Sequence, residues 1–273
     1  DEFLKKENKT KSDLIEIHNR PIYLKYLENK LKKNNFILYF HNDPLSMNGS
    51  KSINERLNLI KKCYKIIFNS IWSKKRFIQD LNSEDVDYEN LLVINQSAKK
   101  VEIDFKKKKK LITFVGKLNK SKGYDLFGNA VIKILNKHKD WRSIVIGDEP
   151  RDKLNFEHKN LSVIGFVKHD KVLEYYKKAS IAVVCSRWDE PFGRSSLEAA
   201  ANGCAVIISN KGGLPETITD GVIIDNLNID SIYSSINELI INKKKRTNYQ
   251  KLSHKNFYLT HQYISKKIDK VRD

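Results

Sequence analysis

The sequence predicts an α/β protein with two domains, each built on a parallel sheet. Short apolar runs rich in β-branched residues alternate with longer amphipathic stretches along the chain, which is typical of βαβ units. The clearest unit covers residues 181–208, where the runs IAVVC and CAVII enclose the loop and helix SRWDEPFGRSSLEAAANG. A length of 273 residues leaves room for two domains that each bury a core.

In the first domain, short buried runs predict four strands, at 14–17, 36–40, 65–68 and 91–94. Helices are expected between them, at 22–33, 53–64 and 73–81. Pro21 fits the opening turn of the first of these helices, where its missing N–H costs nothing. Residues 1–13 are polar and charged, and we expect a frayed start or the remnant of a helix.

The second domain follows the same rules. Strands are expected at 111–115, 143–146, 161–164, 181–185 and 204–208. Helices are expected at 124–138, 169–179, 195–202, 229–242 and 251–271, with Gly203 as a left-handed stop after the third. We place the domains at 1–108 and 109–250, and expect the helix in 251–273 to return to the first domain.

The loop before the helix at 195–202 has the features of an anion site. It opens at the carboxyl edge of a parallel sheet, where open α/β folds bind ligands. Backbone N–H groups from Phe192 to Ser195 are expected to point outward at the positive end of the helix. Two carboxylates bracket this site, Glu190 and Glu198, with seven residues between them.

A second loop, GKLNKSKG at 116–123, follows the strand at 111–115. Its spacing fits neither a P-loop nor a G-x-G-x-x-G dinucleotide loop. Lys117 and Lys122 nevertheless place two cations at a helix N-terminus, which suits a diphosphate and offsets its charge without a metal ion. The alternative is that they are two surface lysines in a lysine-rich chain.

Glu190-x7-Glu198 within EPFGRSSLEA resembles the signature of family-4 glycosyltransferases, retaining enzymes with the two Rossmann-like domains of the GT-B fold. The resemblance implies that Glu190 and the backbone of Phe192 and Gly193 bind the donor sugar, and that Glu198 holds the ribose. The loop at 116–123 is similar to the family's phosphate loop, so Lys117 and Lys122 are implied to bind the diphosphate. Lys117 stands where the family usually has arginine, and a lysine lacks the bidentate fork.

The resemblance also implies functional roles for two further segments. His41, in FHNDP after the strand at 36–40, matches a histidine that the family places near the reacting centre, whereas His18 matches only one subgroup and is left open. The turn at 212–216, GGLPE, is similar to one that closes the donor pocket, although Gly212 and Gly213 also suit a simple tight turn. Backbone near 165–167 is implied to meet the nucleotide base.

The resemblance implies a retaining transferase in envelope polysaccharide synthesis, such as that of lipopolysaccharide. The donor would be a UDP- or GDP-sugar and the acceptor a glycan or lipid-linked molecule, with His41 and Glu190 at the reacting centre and no metal or separate cofactor.

The family's opening βα units and glycine-rich loop have no counterpart here, so we expect a truncated first domain. A nucleotide-sugar-binding protein without turnover is therefore the alternative. A glycoside hydrolase using both glutamates is disfavoured, because hydrolases need no phosphate loop.

The chain has 51 Lys and Arg against 33 Asp and Glu, a net charge of +18. This favours anionic partners such as nucleotide phosphates or an anionic membrane surface, whereas no nucleic-acid-binding motif occurs. The three cysteines show no C-x-x-C spacing, and two fall in expected core strands, which suits a reducing compartment. No apolar run reaches the length of a membrane span. We expect a cytoplasmic protein, peripheral at the inner face of the membrane.

Overall fold

The computed structural model describes residues 2–10, 12–31, 34–82, 84, 86, 88–152 and 154–273. The chain forms two compact units, Asp1–Gln96 with Ile264–Asp273, and Ser97–Tyr263. Below they are called the first unit and the second unit. The functional boundaries expected after residues 108 and 250 stay predictions.

The first unit contains a parallel sheet in the order β1-β2-β3-β4. Its strands are β1 (Leu14–His18), β2 (Asn35–Phe40), β3 (Lys65–Phe68) and β4 (Leu91–Val93). Its helices are α1 (Glu2–Thr10), α2 (Ile22–Leu27), α3 (Ile53–Lys62) and α4 (Ile71–Ile78). Side-chain caps fix two of the helix starts: Ser52 forms a capping box with Glu55 at α3, and Ser70 accepts from the Ser73 N–H at α4.

The second unit contains a parallel sheet of six strands in the order β10-β9-β8-β5-β6-β7. The strands are β5 (Lys109–Val115), β6 (Arg142–Ile146), β7 (Leu161–Val163), β8 (Ala179–Val184), β9 (Ala205–Ser209) and β10 (Val222–Ile224). The helices are α5 (Tyr124–Lys137), α6 (His169–Lys178), α7 (Arg194–Ala201), α8 (Ile229–Ile241) and α9 (Lys243–Asn256). A last helix, α10 (His261–Arg272), carries the chain back to the first unit.

The order of the strands determines where a binding crevice can open in the second unit. From β5 the chain builds outward through β6 to β7, then returns to the other side of β5 with β8 and builds outward again through β9 to β10. The loops after β5 and β8 therefore leave neighbouring strands in opposite directions. This is the switch point of a doubly wound sheet, where a crevice opens at the carboxyl ends of the strands.

The predicted α/β architecture with two parallel sheets is confirmed, and three details differ. The single helix expected at 251–271 is wrong: α9 ends at Asn256 and α10 begins at His261, because Phe257 and Leu259 between them are buried in the core. Helix α2 ends at Leu27, earlier than expected, and residues 32 and 33 of the expected helix lie outside the described residues. Strand β10 was not predicted, because only three residues pair there.

All three cysteines are free thiols and buried. Burial raises the pKa of Cys63 and of Cys185 to about 12, so these two behave as small apolar residues rather than as nucleophiles. Among the described residues, no helix is both long and apolar enough to cross a membrane.

Candidate functional site

Two loops meet at the switch point of the second unit and are fastened to each other. The loop after β8 donates the backbone N–H groups of Arg187 and Trp188 to the Ser121 carbonyl in the loop after β5, at 2.9 and 3.1 Å. The Arg187 guanidinium adds a two-pronged contact to Asp125 at the start of α5, at 2.6 and 2.7 Å. A bidentate pair of this kind sets orientation as well as proximity. The two loops that carry the predicted lysines and glutamates are therefore held as one surface.

Gly123 shows why the loop after β5 must pass so close to β8. It has a left-handed conformation, with φ of 72°, and caps α5. A side-chain carbon at this position would lie 1.9 Å from the Cys185 carbonyl oxygen. Only glycine meets both conditions, so the identity of residue 123 keeps Lys122 beside the loop after β8.

Lys122 and Glu190 form an ion pair through Nζ and Oε1. The pair joins the two loops, and both side chains are largely shielded, at 32% and 12% exposure. In this arrangement the expected phosphate ligand and the expected sugar ligand lie next to each other. A donor that engages both residues has to exchange this ion pair for its own phosphate and hydroxyl contacts.

The turn at 212–213 packs directly on the backbone of Glu190. The Gly213 N–H donates to the Glu190 carbonyl at 2.6 Å. Gly212 has φ of 59°, and a side-chain carbon there would lie 2.2 Å from the same carbonyl oxygen. The turn is therefore tight, and it fixes the backbone of Glu190. That it closes a donor pocket stays a prediction.

Glu198 lies in the first turns of α7 and is buried, with its side chain 8% exposed. Its Oε1 accepts from Arg194 Nη2 at 2.7 Å and lies 3.0 Å from His169 Nε2. A buried carboxylate needs such donors to remain charged. Sequence reasoning missed both partners; the Arg194–Glu198 spacing of four residues on one helix was a signal, whereas His169 comes from a different helix.

The remaining predicted donor-site residues have distinct settings. Gly193 is the N-cap of α7, with φ of 119°. Phe192 has its side chain in the core, 1% exposed, so only its backbone can face a ligand. Lys117 is exposed and makes no hydrogen bond or ion pair to the described part of the chain. The roles of these residues toward a donor stay predictions.

His41 belongs to the first unit and follows β2 directly. Its Nε2 lies 3.0 Å from Nδ1 of His18, the last residue of β1. Burial and the neighbouring His18 lower the pKa of His41, so the ring is neutral at neutral pH. The structure therefore joins the two histidines that the sequence treated separately.

No group of three or more His, Cys, Asp and Glu side chains suited to a metal ion occurs within the described ranges. The sequence contains one Asp-x-Asp triplet, at 85–87, and both of its aspartates lie outside the described residues. The expectation that no metal is required stays a prediction.

The family model for glycosyl transferases group 1 matches residues 95–255. Spore coat protein SA of Bacillus subtilis is 33% identical over 162 residues, which is 53% of this chain and 43% of that protein. The lipopolysaccharide core biosynthesis mannosyltransferase LpsB of Rhizobium meliloti is 31% identical over 123 residues, 41% of this chain and 35% of that protein. The aligned part thus spans less than half the length of either relative.

Among solved structures, Anabaena Alr3699/HepE in complex with UDP-glucose superimposes with a TM-score of 0.76. The match covers 98% of this chain and 81% of HepE at 17% sequence identity, a level that speaks for the fold alone.

Proposed function

Because the chain belongs to the glycosyl transferases group 1 family, we propose that it transfers a sugar, with retention of configuration, from a nucleotide-diphosphate donor to a glycan or lipid-linked acceptor. One observation carries the proposal. At the switch point of the second unit, Lys122 and Glu190 lie together on two fastened loops, and the N-terminus of α7 and the buried Glu198 follow in the same loop–helix segment. Cation, carboxylates and helix end are the groups that recognise a diphosphate, a sugar and a ribose.

In the proposed complex, each donor group has its own ligand. Lys122 and Lys117 bind the diphosphate, and Glu198, oriented by Arg194 and His169, accepts from the ribose hydroxyls. Glu190 and the backbone of Phe192 and Gly193 bind the sugar. His41 of the first unit faces the reacting carbon.

The protein's contribution to the chemistry is positioning and charge stabilisation rather than covalent catalysis. The acceptor hydroxyl attacks on the face from which the diphosphate leaves, and the departing phosphate assists its deprotonation. As the glycosidic bond breaks, negative charge grows on the leaving diphosphate, where Lys122 and Lys117 stabilise it. Fixed loops hold the donor in its reactive geometry without further reorganisation.

Two neighbours support the choice of donor and setting. HepE is a structural neighbour that binds UDP-glucose, which supports a nucleotide-sugar donor, with UDP- and GDP-sugars both as candidates. The relative LpsB acts in lipopolysaccharide core synthesis, which supports an envelope polysaccharide as the product. The net charge of +18 and the lysines at the start of α9 support a peripheral position on an anionic membrane surface in the cytoplasm.

The test has two stages. Calorimetry with UDP, GDP, UDP-glucose and GDP-mannose should show binding of one nucleotide series, and a transfer assay with radiolabelled donor and lipid-linked acceptors should show retained configuration in the product. Absence of binding to every nucleotide would contradict the proposal. Binding without transfer to any acceptor would identify the alternative, a nucleotide-sugar-binding protein.

A further inference from the structure

The carboxyl ends of β1 and β2 carry a connected set of polar side chains in the first unit. His18 and Tyr39 are register partners on the two strands, and their rings stack with centroids 4.4 Å apart. His18 Nδ1 lies 3.0 Å from His41 Nε2. Backbone contacts fix His41 on both sides: its N–H donates to Asn19 Oδ1 and its carbonyl accepts from Asn69 Nδ2, each at 2.9 Å.

A carboxylate anchors the outer end of this set. Glu16 accepts from Arg272 Nε and Nη2, one bond to each oxygen and both at 2.9 Å, and from the Tyr39 hydroxyl at 2.9 Å. The hydrogen bond from Arg272 holds the pKa of Glu16 below its usual range, so the group is a carboxylate. Burial and the bond to Glu16 raise the pKa of Tyr39, which keeps the phenol protonated as a donor. Glu16 Oε2, the oxygen that does not bond to Tyr39, lies 3.6 Å from His18 Nε2.

These contacts determine where the protons lie on the two imidazoles. The nearby carboxylate favours a proton on Nε2 of His18, so Nδ1 of the neutral ring is an acceptor. The proton between the two rings must then belong to His41 Nε2. His41 Nδ1 is left without a proton, and no residue in the described part of the chain bonds to it.

We propose that His18 is a positioning residue: held by Glu16 and Arg272, it accepts from Nε2 of His41 and leaves Nδ1 of His41 as an unprotonated acceptor for a substrate hydroxyl. This inference rests on the proposed function, in which His41 faces the reacting centre. The charged and titratable groups around the pair are Glu16, Tyr39, Arg272 and Arg20. Arg20 lines the same cavity of about 420 Å³ as His18.

The proton positions can be measured without any substrate. In the uniformly ¹⁵N-labelled full chain at neutral pH, the side-chain nitrogen shifts of His41 should show a protonated Nε2 and an unprotonated Nδ1. In His18→Leu that preference should weaken, while His138, which pairs with Asn237 in the second unit, should keep its signals. A proton on Nδ1 of His41 in the unmodified chain would overturn the inference.

Kinetics distinguish positioning from simple structural support. His18→Leu should lower kcat for transfer by at least about tenfold, because His41 no longer presents Nδ1 as a fixed acceptor that orients the attacking hydroxyl, and should leave the KM for donor unchanged. His18→Gln, whose side-chain oxygen can also accept from His41, should retain more activity than the leucine variant. Equal losses in the two variants would overturn the inference. Failure of the unmodified chain to bind any nucleotide would instead contradict the proposed function, while the nitrogen shifts would still decide the proton positions.

Discussion

Lys122 and Glu190 form an ion pair, and this contact determines what each substitution should do. An ion pair of low exposure holds its partners in place, because removing one member leaves the other poorly solvated. A nucleotide diphosphate competes with Glu190 for Lys122. Substitutions at the two positions should therefore affect nucleotide affinity in opposite directions.

Lys122→Ala should weaken binding of UDP more than binding of uridine, because the lost contact is to phosphate. A charge-assisted contact contributes roughly 1.5–3 kcal/mol, which corresponds to about 10- to 100-fold in Kd. Lys120→Ala is the matched control: it removes an exposed lysine of the same loop and should leave both affinities nearly unchanged. Equal losses for UDP and uridine in Lys122→Ala would show that the lysine contributes only a general positive field.

Glu190→Gln should preserve or increase the affinity for UDP, because Lys122 no longer has a carboxylate partner. The same change should lower transfer by about 100-fold, since the sugar loses a charged ligand and its alignment. Calorimetry with UDP and a transfer assay with UDP-sugar measure the two effects separately. A loss of UDP affinity comparable to that of Lys122→Ala would mean that Glu190 supports the phosphate site instead of competing with it.

The lowered pKa of His41 leads to a prediction about how the free energy of unfolding depends on pH. Its pKa is lowered in the folded chain, chiefly by burial and also by His18, so the unfolded chain takes up this proton first as pH falls. The stability that neutral His41 contributes is present above the unfolded pKa of about 6.5 and is lost as pH falls below it. His41→Gln should thus reduce the loss of unfolding free energy between about pH 7 and pH 5. Urea titrations across this range measure it, and an unchanged or steeper loss would contradict the assignment.

Among the elements, α6 and α7 depend on one half-buried lysine, Lys108. Lys108 Nζ donates to the Asn202 carbonyl at the end of α7, at 2.7 Å, and to the Tyr176 carbonyl in the last turns of α6, at 2.9 Å. Burial lowers the pKa of this lysine. A cation at two helix ends satisfies carbonyls that have no partner within their helices.

Lys108→Met should therefore destabilise the fold, because the buried carbonyls lose their donor. We expect a loss of about 1–3 kcal/mol in the free energy of unfolding. Lys107→Met is the matched control, since the adjacent side chain is 85% exposed and makes only a long contact to Asp104. Chemical denaturation of both variants checks this. An equal, small effect of the two changes would show that the carbonyls find other partners.

The elements that the sequence predicted well are those whose signal is local. Strands such as β8 and β9 are largely apolar runs, and α7 ends at Ala201, two residues before the left-handed Gly203. The break between α9 and α10 has no proline or glycine to mark it. Phe257 continues the buried face of α9, but Leu259 is buried as well, and a step of two residues does not fit a helical face.

In the candidate site, too, the residues with a local sequence signal were predicted and the long-range contacts were not. The sequence placed Glu190 and Lys122 at carboxyl ends of strands, and the strand order brings those ends together. Contacts across long stretches of chain were not foreseen, because no local pattern encodes them: His169 on Glu198, Arg187 on Asp125, and Arg272 on Glu16, 256 residues away in sequence. Of these three contacts, one reaches a predicted residue: His169 holds Glu198, which the sequence singled out without its partner from another helix.

For the molecule as a whole, the proposed ligands divide between the two units, and binding should be separable from transfer. The phosphate, ribose and sugar ligands belong to the second unit, whereas His41 belongs to the first. His41→Ala should leave the Kd for UDP-sugar within about twofold of the unmodified value, because no proposed nucleotide ligand changes. The same variant should lose at least about 100-fold in kcat, the order of a contribution from alignment at the reacting centre. Glu198→Ala should show the opposite pattern. Its main effect should be a lower affinity for the nucleoside, because the ribose loses its charged acceptor. Calorimetry and a transfer assay on the two variants side by side measure this. Loss of donor affinity in His41→Ala would place the histidine in the donor site, and unchanged transfer would remove it from the reaction.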